Sequence, residues 1–398
     1  MPGPNPFAWL AVFSSLFLII GLALNYWIHS QHQFGYIARP GASPGPGAPL
    51  VSIIIPARDE ARNIQPCVEA ALAQAYPSLE VIVVNDRSTD DTPRLLAELQ
   101  AQHQGKAVPA LHIVHGVDLP PGWAGKPHAL AQGAAVAQGE WLCLIDADTF
   151  ATPDLVASII ALAIQQQADL FSFLTRQEMG SFWEKIVLPV IITALSVGFS
   201  PRRVNDRRKP DAIAYGQCIL IRRQVYDAVG GYQAIRDHIV EDKALAELVK
   251  RGGHRLLLGD GSLVAHTRMY TSFSEIWEGW TKNIYLGMRE HASLLLFGAL
   301  VGLAGALILP VWVLGGSLGY LASHQPLLVL VALEGLVLWM VLLSARWRIC
   351  QSLGVSPGYA FLFPLGAAVF TALVAASVYK VLSGRGVTWK GRRYPGIN

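Results

Sequence analysis

The chain has little charge. Of its 398 residues only 15% are Asp, Glu, Lys or Arg, while 52% are hydrophobic, and the mean hydropathy is positive at +0.37. Soluble domains are seldom this poor in charge, so membrane segments are expected. The net charge is +3, from 31 basic and 28 acidic residues. That excess is too small for a nucleic-acid surface. Cysteine is scarce as well: Cys67, Cys143, Cys218 and Cys350 are scattered, with no CxxC pair. This argues against a disulfide framework or a thiolate zinc site and fits a reducing cytosolic compartment. Cys143 reads as a buried strand residue. The GxxxxGK[ST] spacing of a P-loop is missing. So is the basic start of a signal peptide, because Met1-Pro-Gly-Pro-Asn-Pro carries no Lys or Arg and no clear cleavage site follows.

Long apolar runs are present instead. Phe7–Ile28 contains no charged residue and is long enough to cross a bilayer, so residues 1–38 read as a retained anchor. Residues 39–49 (RPGASPGPGAP) form a Pro/Gly linker. Residues 50–291 alternate short apolar runs with helical patterns, with strands near 51–55, 79–84, 111–114 and 141–145 and helices near 61–74, 92–103 and 126–138. That alternation implies βαβ units and a mostly parallel sheet, an α/β domain. Residues 292–383 return to membrane character, with candidate spans at Leu294–Leu314, Pro326–Ser344 and Tyr359–Leu382. Pro310 and Gly315-Gly316 could kink or end the first of these. Residues 384–398 form a basic tail. Ile186–Phe199 is too short for a span and reads as an interfacial or buried helix. The basic stretch Pro201–Lys209 after it fits either contact with an anionic leaflet or a solvated loop. Glu334, inside an apolar span, is either functional or a protonated, hydrogen-bonded acid. These features describe a multi-pass integral membrane protein whose α/β domain faces the cytosol. The spans conflict in parity, however. One anchor and three later spans put the carboxyl terminus outside, whereas Arg385, Lys390, Arg392 and Arg393 favour the inside. Either one segment is re-entrant or the span count is off by one.

The chemistry concentrates in acidic clusters at expected strand ends, where open α/β sheets bind ligands. Pro56-Ala57-Arg58-Asp59-Glu60 follows the first strand. Its backbone could meet a nucleobase, and Asp59 or Glu60 a ribose hydroxyl, although acids are also favoured at any helix start. Asn85-Asp86 follows the second strand, and Asp86 could accept a base N–H, while Asp90 reads as a helix N-cap. Lys126, between Gly125 and Pro127 at a helix start, could meet a phosphate or a carboxylate. Asp146-Ala147-Asp148 follows the fourth strand. Carboxylates at i and i+2 project to one side of an extended segment and could present a hard cation to diphosphate oxygens, although Asp is also common in turns. Glu241-Asp242 opens a helix and offers a general base, or merely helpful acids at a helix start.

Taken in order, VSIIIPARDE, VIVVNDRSTDDT, GKPHALAQGAAVAQGEWLCLIDAD, GQCILIRR and HIVEDKALAELVKRGG resemble a family 2 glycosyltransferase with the GT-A fold, over roughly Val51 to Gly287. The resemblance implies inverting transfer of a hexose from a nucleotide sugar, UDP-glucose first, with Mg²⁺ or Mn²⁺. It assigns base binding to Asp86, nucleotide contact to Asp146 and Lys126, metal ligation to Asp148 and general-base action to Asp242. Pro56, Ala57, Asp59 and Glu60 fall in the nucleotide-binding segment, and Glu241 is grouped with Asp242. Membrane-bound members end this domain with Gln/Arg-x-x-Arg-Trp, where this chain has Trp277-Glu-Gly-Trp280. The change weakens a processive synthase reading and leaves Arg268 or Lys282 to supply positive charge near the diphosphate. Trp277 and Trp280 are either walls of the sugar or acceptor site or helix packing. The stretches HTRMY, EIWEGWTKN and VTWKGRRY are similar to bacterial enzymes acting on carotenoid, hopanoid or sphingolipid-like acceptors. The implied partners are a nucleotide sugar, a membrane-embedded lipid or isoprenoid, and the bilayer. Transfer to polyprenyl phosphate, processive polysaccharide synthesis and a catalytically dead binding subunit are the alternatives.

Overall fold

The computed structural model describes residues 6–31, 35–43, 45–104, 109–287, 292–383, 387–389 and 392–394. Arg385 and Lys390 of the basic tail lie outside them. The chain opens with helix α1 (Pro6–Gln31) and then enters β1 (Val51–Ala57), α2 (Ile64–Leu72), β2 (Leu79–Asn85), α3 (Thr92–His103) and β3 (Ala110–His115). It continues through α4 (Gly125–Val136), β4 (Trp141–Ile145), β5 (Thr149–Ala151), α5 (Leu155–Gln165), β6 (Leu170–Leu174) and β7 (Arg176–Gln177). Next come α6 (Phe182–Gly198), α7 (Pro201–Val204), β8 (Cys218–Arg222), α8 (Arg223–Ala228), α9 (Glu241–Arg251), β9 (Leu256–Asp260) and β10 (Ala265–Thr267). Four long helices follow: α10 (Phe273–Gly287), α11 (Ala292–Ser323), α12 (Pro326–Ser352) and α13 (Phe363–Leu382), then the hairpin β11 (Val387–Trp389) and β12 (Arg392–Tyr394).

Seven strands form one sheet in the order β3-β2-β1-β4-β8-β6-β9. The neighbours are parallel except at β8, which runs antiparallel to both β4 and β6. The inner strands are apolar on both faces because helices cover both faces, as parallel sheets require. Val51, Ile53 and Ile55 of β1 belong to one buried cluster and Ile54 to the other. The order reverses between β1 and β4, so a crevice opens there at the strands' carboxyl ends. The register brings Ala57 level with Asn85, which sets the first two acidic segments side by side. At α3, Asp91 occupies the cap position but makes no capping bond. Asp90 accepts the Thr92 N–H at 3.0 Å instead.

Among the described residues five helices are long and apolar enough to cross a membrane: Phe7–Trp27, Phe182–Val204, Leu295–Ser323, Pro326–Ser352 and Pro357–Lys380. They fall into two kinds. Only 11%, 17% and 22% of the apolar window is buried in the first, third and fourth, against 44% in each of the others. α11 runs unbroken through Pro310 to Ser323, so neither Pro310 nor Gly315-Gly316 ends it. Gly316 instead lets α11 approach α12, because a Cβ there would meet Ala332 N at 2.9 Å and Leu328 O at 3.0 Å. α1 lies along α12 in the same direction: Ser14 and Ser15 donate to Glu334, and Gly21 abuts Leu338. These bonds satisfy the Glu334 carboxyl.

α13 behaves differently. Its Gly366 packs against Ile186 of α6 and Phe363 lies under Arg346 near the end of α12. Farther along, Ser377 donates to Thr281 O of α10 at 2.6 Å. Both ends of α13 therefore rest on helices beside the α/β domain, away from residues 324–325 where α11 and α12 join. α6, α10 and α13 share a buried cluster that includes Ile186, Val190, Tyr270, Ile276, Ile284, Phe370 and Val374. Together they form an apolar shelf under the sheet's carboxyl edge.

Candidate active site

The carboxyl edge and the shelf enclose a cavity of about 340 Å³, within the usual size for small-molecule sites. One wall is polar and comes from the strand ends. Pro56 and Ala57 end β1 and Glu60 follows it, Asp86 follows β2, Asp146 and Asp148 follow β4, and Glu241 and Asp242 open α9. The other wall is apolar, with Leu188, Ile191 and Leu195 of α6, Ile284 of α10, Leu295 of α11 and Phe370 of α13. Trp280 and Lys282 of α10 lie on the boundary.

A carboxylate–lysine ring forms the centre of the polar wall. Lys126, in the first turn of α4, reaches Asp146 at 2.6 Å and Glu241 at 2.8 Å. Burial works against the ammonium, but Asp146, Glu241 and Asp242 outweigh it and hold the lysine's pKa well above its ordinary value. Burial also raises the Asp146 carboxyl, and Lys126 offsets only part of this. Asp242 is pushed up to about 6, first by burial and then by the neighbouring Glu241. Its carboxylate accepts the Gly216 N–H at 3.1 Å and the Lys243 N–H at 2.7 Å. Burial lowers Lys282 to about 8 despite the nearby carboxylates.

Gly216, just ahead of β8, fixes the spacing of the ring. A Cβ there would come within 3.2 Å of both Asp242 Oδ2 and Lys126 Nζ and within 3.6 Å of Asp146 Oδ2. A methyl group must therefore push the ion pairs apart. Gly216→Ala should fold normally but lower kcat by about 10–100-fold, the usual cost of sub-ångström to 1 Å misplacement. Steady-state kinetics beside a thermal melt would check this, and an unchanged kcat would show that the spacing does not matter.

Some expected site residues lie elsewhere. Asp59 does not line the cavity; its carboxylate accepts Thr89 N–H at 2.7 Å and ties the β1 loop to the β2 loop. Arg268 turns to the buried Glu184 at 3.4 Å. Trp277 packs against Phe273 with ring centres 5.8 Å apart, so it belongs to the shelf. Glu241 is buried against Lys126, a position suited to holding the lysine. Asp86 is buried at the cavity wall, and Arg87 holds its Oδ1 at 3.2 Å. Gly216, Gln217 and Tyr270 lie in stretches that carry the resemblance but have no role of their own in it, and Ile186–Phe199 is expected from the sequence only as an apolar helix that brings the acceptor to the interface; all four line the cavity. Only their surroundings could have marked them, because β8 breaks the parallel pattern and α6 reads as a plain apolar run.

Among the described residues no group of three His, Cys, Asp or Glu side chains is placed to hold a metal. Asp148 and Asp146 nevertheless offer hard oxygen donors on the turn after β4. One or two carboxylates with the rest of the shell left to phosphate and water suit Mg²⁺ or Mn²⁺.

Residues 52–230 match the family model described as Glycosyl transferase family 2. Over 266 residues, 64% of this chain and 68% of the relative, the sequence is 29% identical to 4,4'-diaponeurosporenoate glycosyltransferase of Staphylococcus aureus strain USA300. The fold is similar to that of the mannosyltransferase PcManGT from Pyrobaculum calidifontis, solved in complex with GDP-Man and Mn2+. The TM-score is 0.52 at 19% identity, over 94% of this chain and 99% of that one.

Proposed function

Starting from a glycosyltransferase with a family 2 domain at residues 52–230 in a GT-A fold, we propose that it transfers a hexose from a nucleotide sugar to a carotenoid-type, membrane-embedded acceptor. One observation carries the reading: the cavity passes without a break from the strand-end acids to an apolar wall of helices. The nucleotide sugar belongs on the first side and a long apolar acceptor on the second. The named activity of the S. aureus relative supports the acceptor class.

In this reading Pro56, Ala57, Glu60 and Asp86 receive the nucleoside, with Asp86 facing the base. Asp242 takes the proton of the acceptor hydroxyl as its oxygen attacks the anomeric carbon and the bond to the nucleoside diphosphate breaks. Lys126 and Lys282 face the charge that develops on the leaving group. Asp148 and Asp146 would hold the divalent cation, which when bound neutralises diphosphate charge. The apolar wall orients the acceptor and keeps water away.

The same reading offers a consistent parity for the spans. α1, α11 and α12 cross the bilayer, whereas α6, α10 and α13 lie in its cytosolic face. Three crossings leave the α/β domain and the carboxyl terminus on one side. β11 packing against α10 supports this, as do Arg346 and Arg348 at the domain end of α12. A protease-cleavable tag after Asn398 should be cut only from the cytosolic face, and cutting from the outside would refute this topology.

The decisive assay supplies membranes containing the chain with labelled UDP-glucose, Mn²⁺ or Mg²⁺ and apolar polyene alcohols or acids. Label should enter the organic phase, and chelation by EDTA should stop it. A folded protein that moves no sugar from any of several nucleotide sugars would overturn the proposal.

A further inference from the structure

We propose that Arg346, at the seam of α6, α12 and α13, is the core of a binding site for the phosphate of an anionic membrane lipid. This rests on the membrane reading above but not on the identity of the sugar or acceptor. Arg346 lies outside the catalytic cavity. Its Nη1 donates to Thr193 Oγ1 of α6 at 3.1 Å, and the guanidinium sits 4.0 Å over the Phe363 ring. No carboxylate is among its described partners. Leu342 and Cys350, one turn away on either side along α12, belong to apolar clusters. A guanidinium carries five N–H donors, and a cation set among apolar helices is costly without an anion. Arginine's planar fork suits phosphate oxygens in particular. Arg346 also lies at the domain end of α12, the level at which headgroups would sit.

The site has a physical route to the catalytic wall. Pro189 lies inside the continuous helix α6 and removes one backbone hydrogen bond there, because it has no N–H to donate. Thr193 donates to Pro189 O at 2.6 Å while accepting from Arg346, so the arginine grips α6 one turn past its weak point. Leu188, Ile191 and Leu195 of the same helix line the cavity. A phosphate that fixes the guanidinium therefore steadies the acceptor wall.

The test uses the full-length chain in nanodiscs of phosphatidylcholine with or without phosphatidylglycerol. Native mass spectrometry reads retained lipid, and sugar transfer reads the coupling. Wild type should retain phosphatidylglycerol and transfer several-fold faster with it. Arg346→Gln should lose both responses while keeping the rate seen in phosphatidylcholine, and Arg346→Lys should keep part of each. Thr193→Val, which leaves the guanidinium in place, should retain the lipid but lose the acceleration. Equal lipid retention by Arg346→Gln would overturn the site. So would inorganic phosphate giving the same acceleration in phosphatidylcholine alone, because the ligand would then be a free anion. If no sugar transfer is seen with any acceptor, retention still decides this proposal separately from the catalytic one.

Discussion

Replacing Asp242 by Asn should lower kcat for transfer to a hydroxyl acceptor by about 10²–10⁴-fold, the range for losing a positioned general base. The KM for the nucleotide sugar should change little, because the amide keeps the volume and its one oxygen can still accept from either Gly216 or Lys243, which Asp242 receives on separate oxygens. The pH profile gives an independent check. The base must be ionised, so kcat/KM should rise with pH through about 6, the value to which burial and Glu241 push Asp242. Lys282 must stay protonated to face the diphosphate, so kcat/KM should fall again above about 8. Lys282→Met should remove the alkaline limb and leave the acidic one. An acceptor that is already ionised needs no base, so with such an acceptor Asp242→Asn should matter far less. A full loss there would assign Asp242 a structural role.

The β1, β2 and β4 acids were legible because strand ends in an open α/β sheet share one edge, so Asp86, Asp146 and Asp148 could be gathered before any coordinates. Glu241 and Asp242 were legible as a helix start, but their contact with Lys126 was not, since it depends on how α9 meets α4 across a sheet that includes the reversed strand β8. Asp59 illustrates the opposite failure. Its spacing matches its neighbours', yet a positive φ of 51° turns it toward the Thr89 loop. The parity conflict arose because hydropathy measures length and composition only. α13 is as apolar as a span, and the proposed non-crossing placement rests on its contacts with Ile186 and Thr281 beside the domain, which hydropathy does not register. The nearly unbroken apolar wall likewise has no motif, because almost any aliphatic residue fills it.

Lys126→Met should fold less stably and fail to turn over. The substitution leaves Asp146, Glu241 and Asp242 facing one another without their cation. Breaking a buried pair costs about 3–5 kcal/mol. Lys126 is 36% exposed, so solvent screening reduces the expected loss to about 1–3 kcal/mol. The loss should depend on pH with a definite sign. Without the lysine the folded carboxyls hold protons more tightly than the unfolded ones, so stability falls as pH rises through the carboxylate range. The variant should therefore approach wild-type stability near pH 5 and diverge from it toward pH 8. Adding Glu241→Gln removes one uncompensated charge, so the double variant should regain stability. It should regain no turnover, because the charge facing the diphosphate is still missing. Melting temperatures of the four proteins in this cycle, read at both pH values, separate the ion-pair ring from simple loss of packing. A pH-independent loss, with no gain from Glu241→Gln, would mean that Lys126 acts through its aliphatic stem.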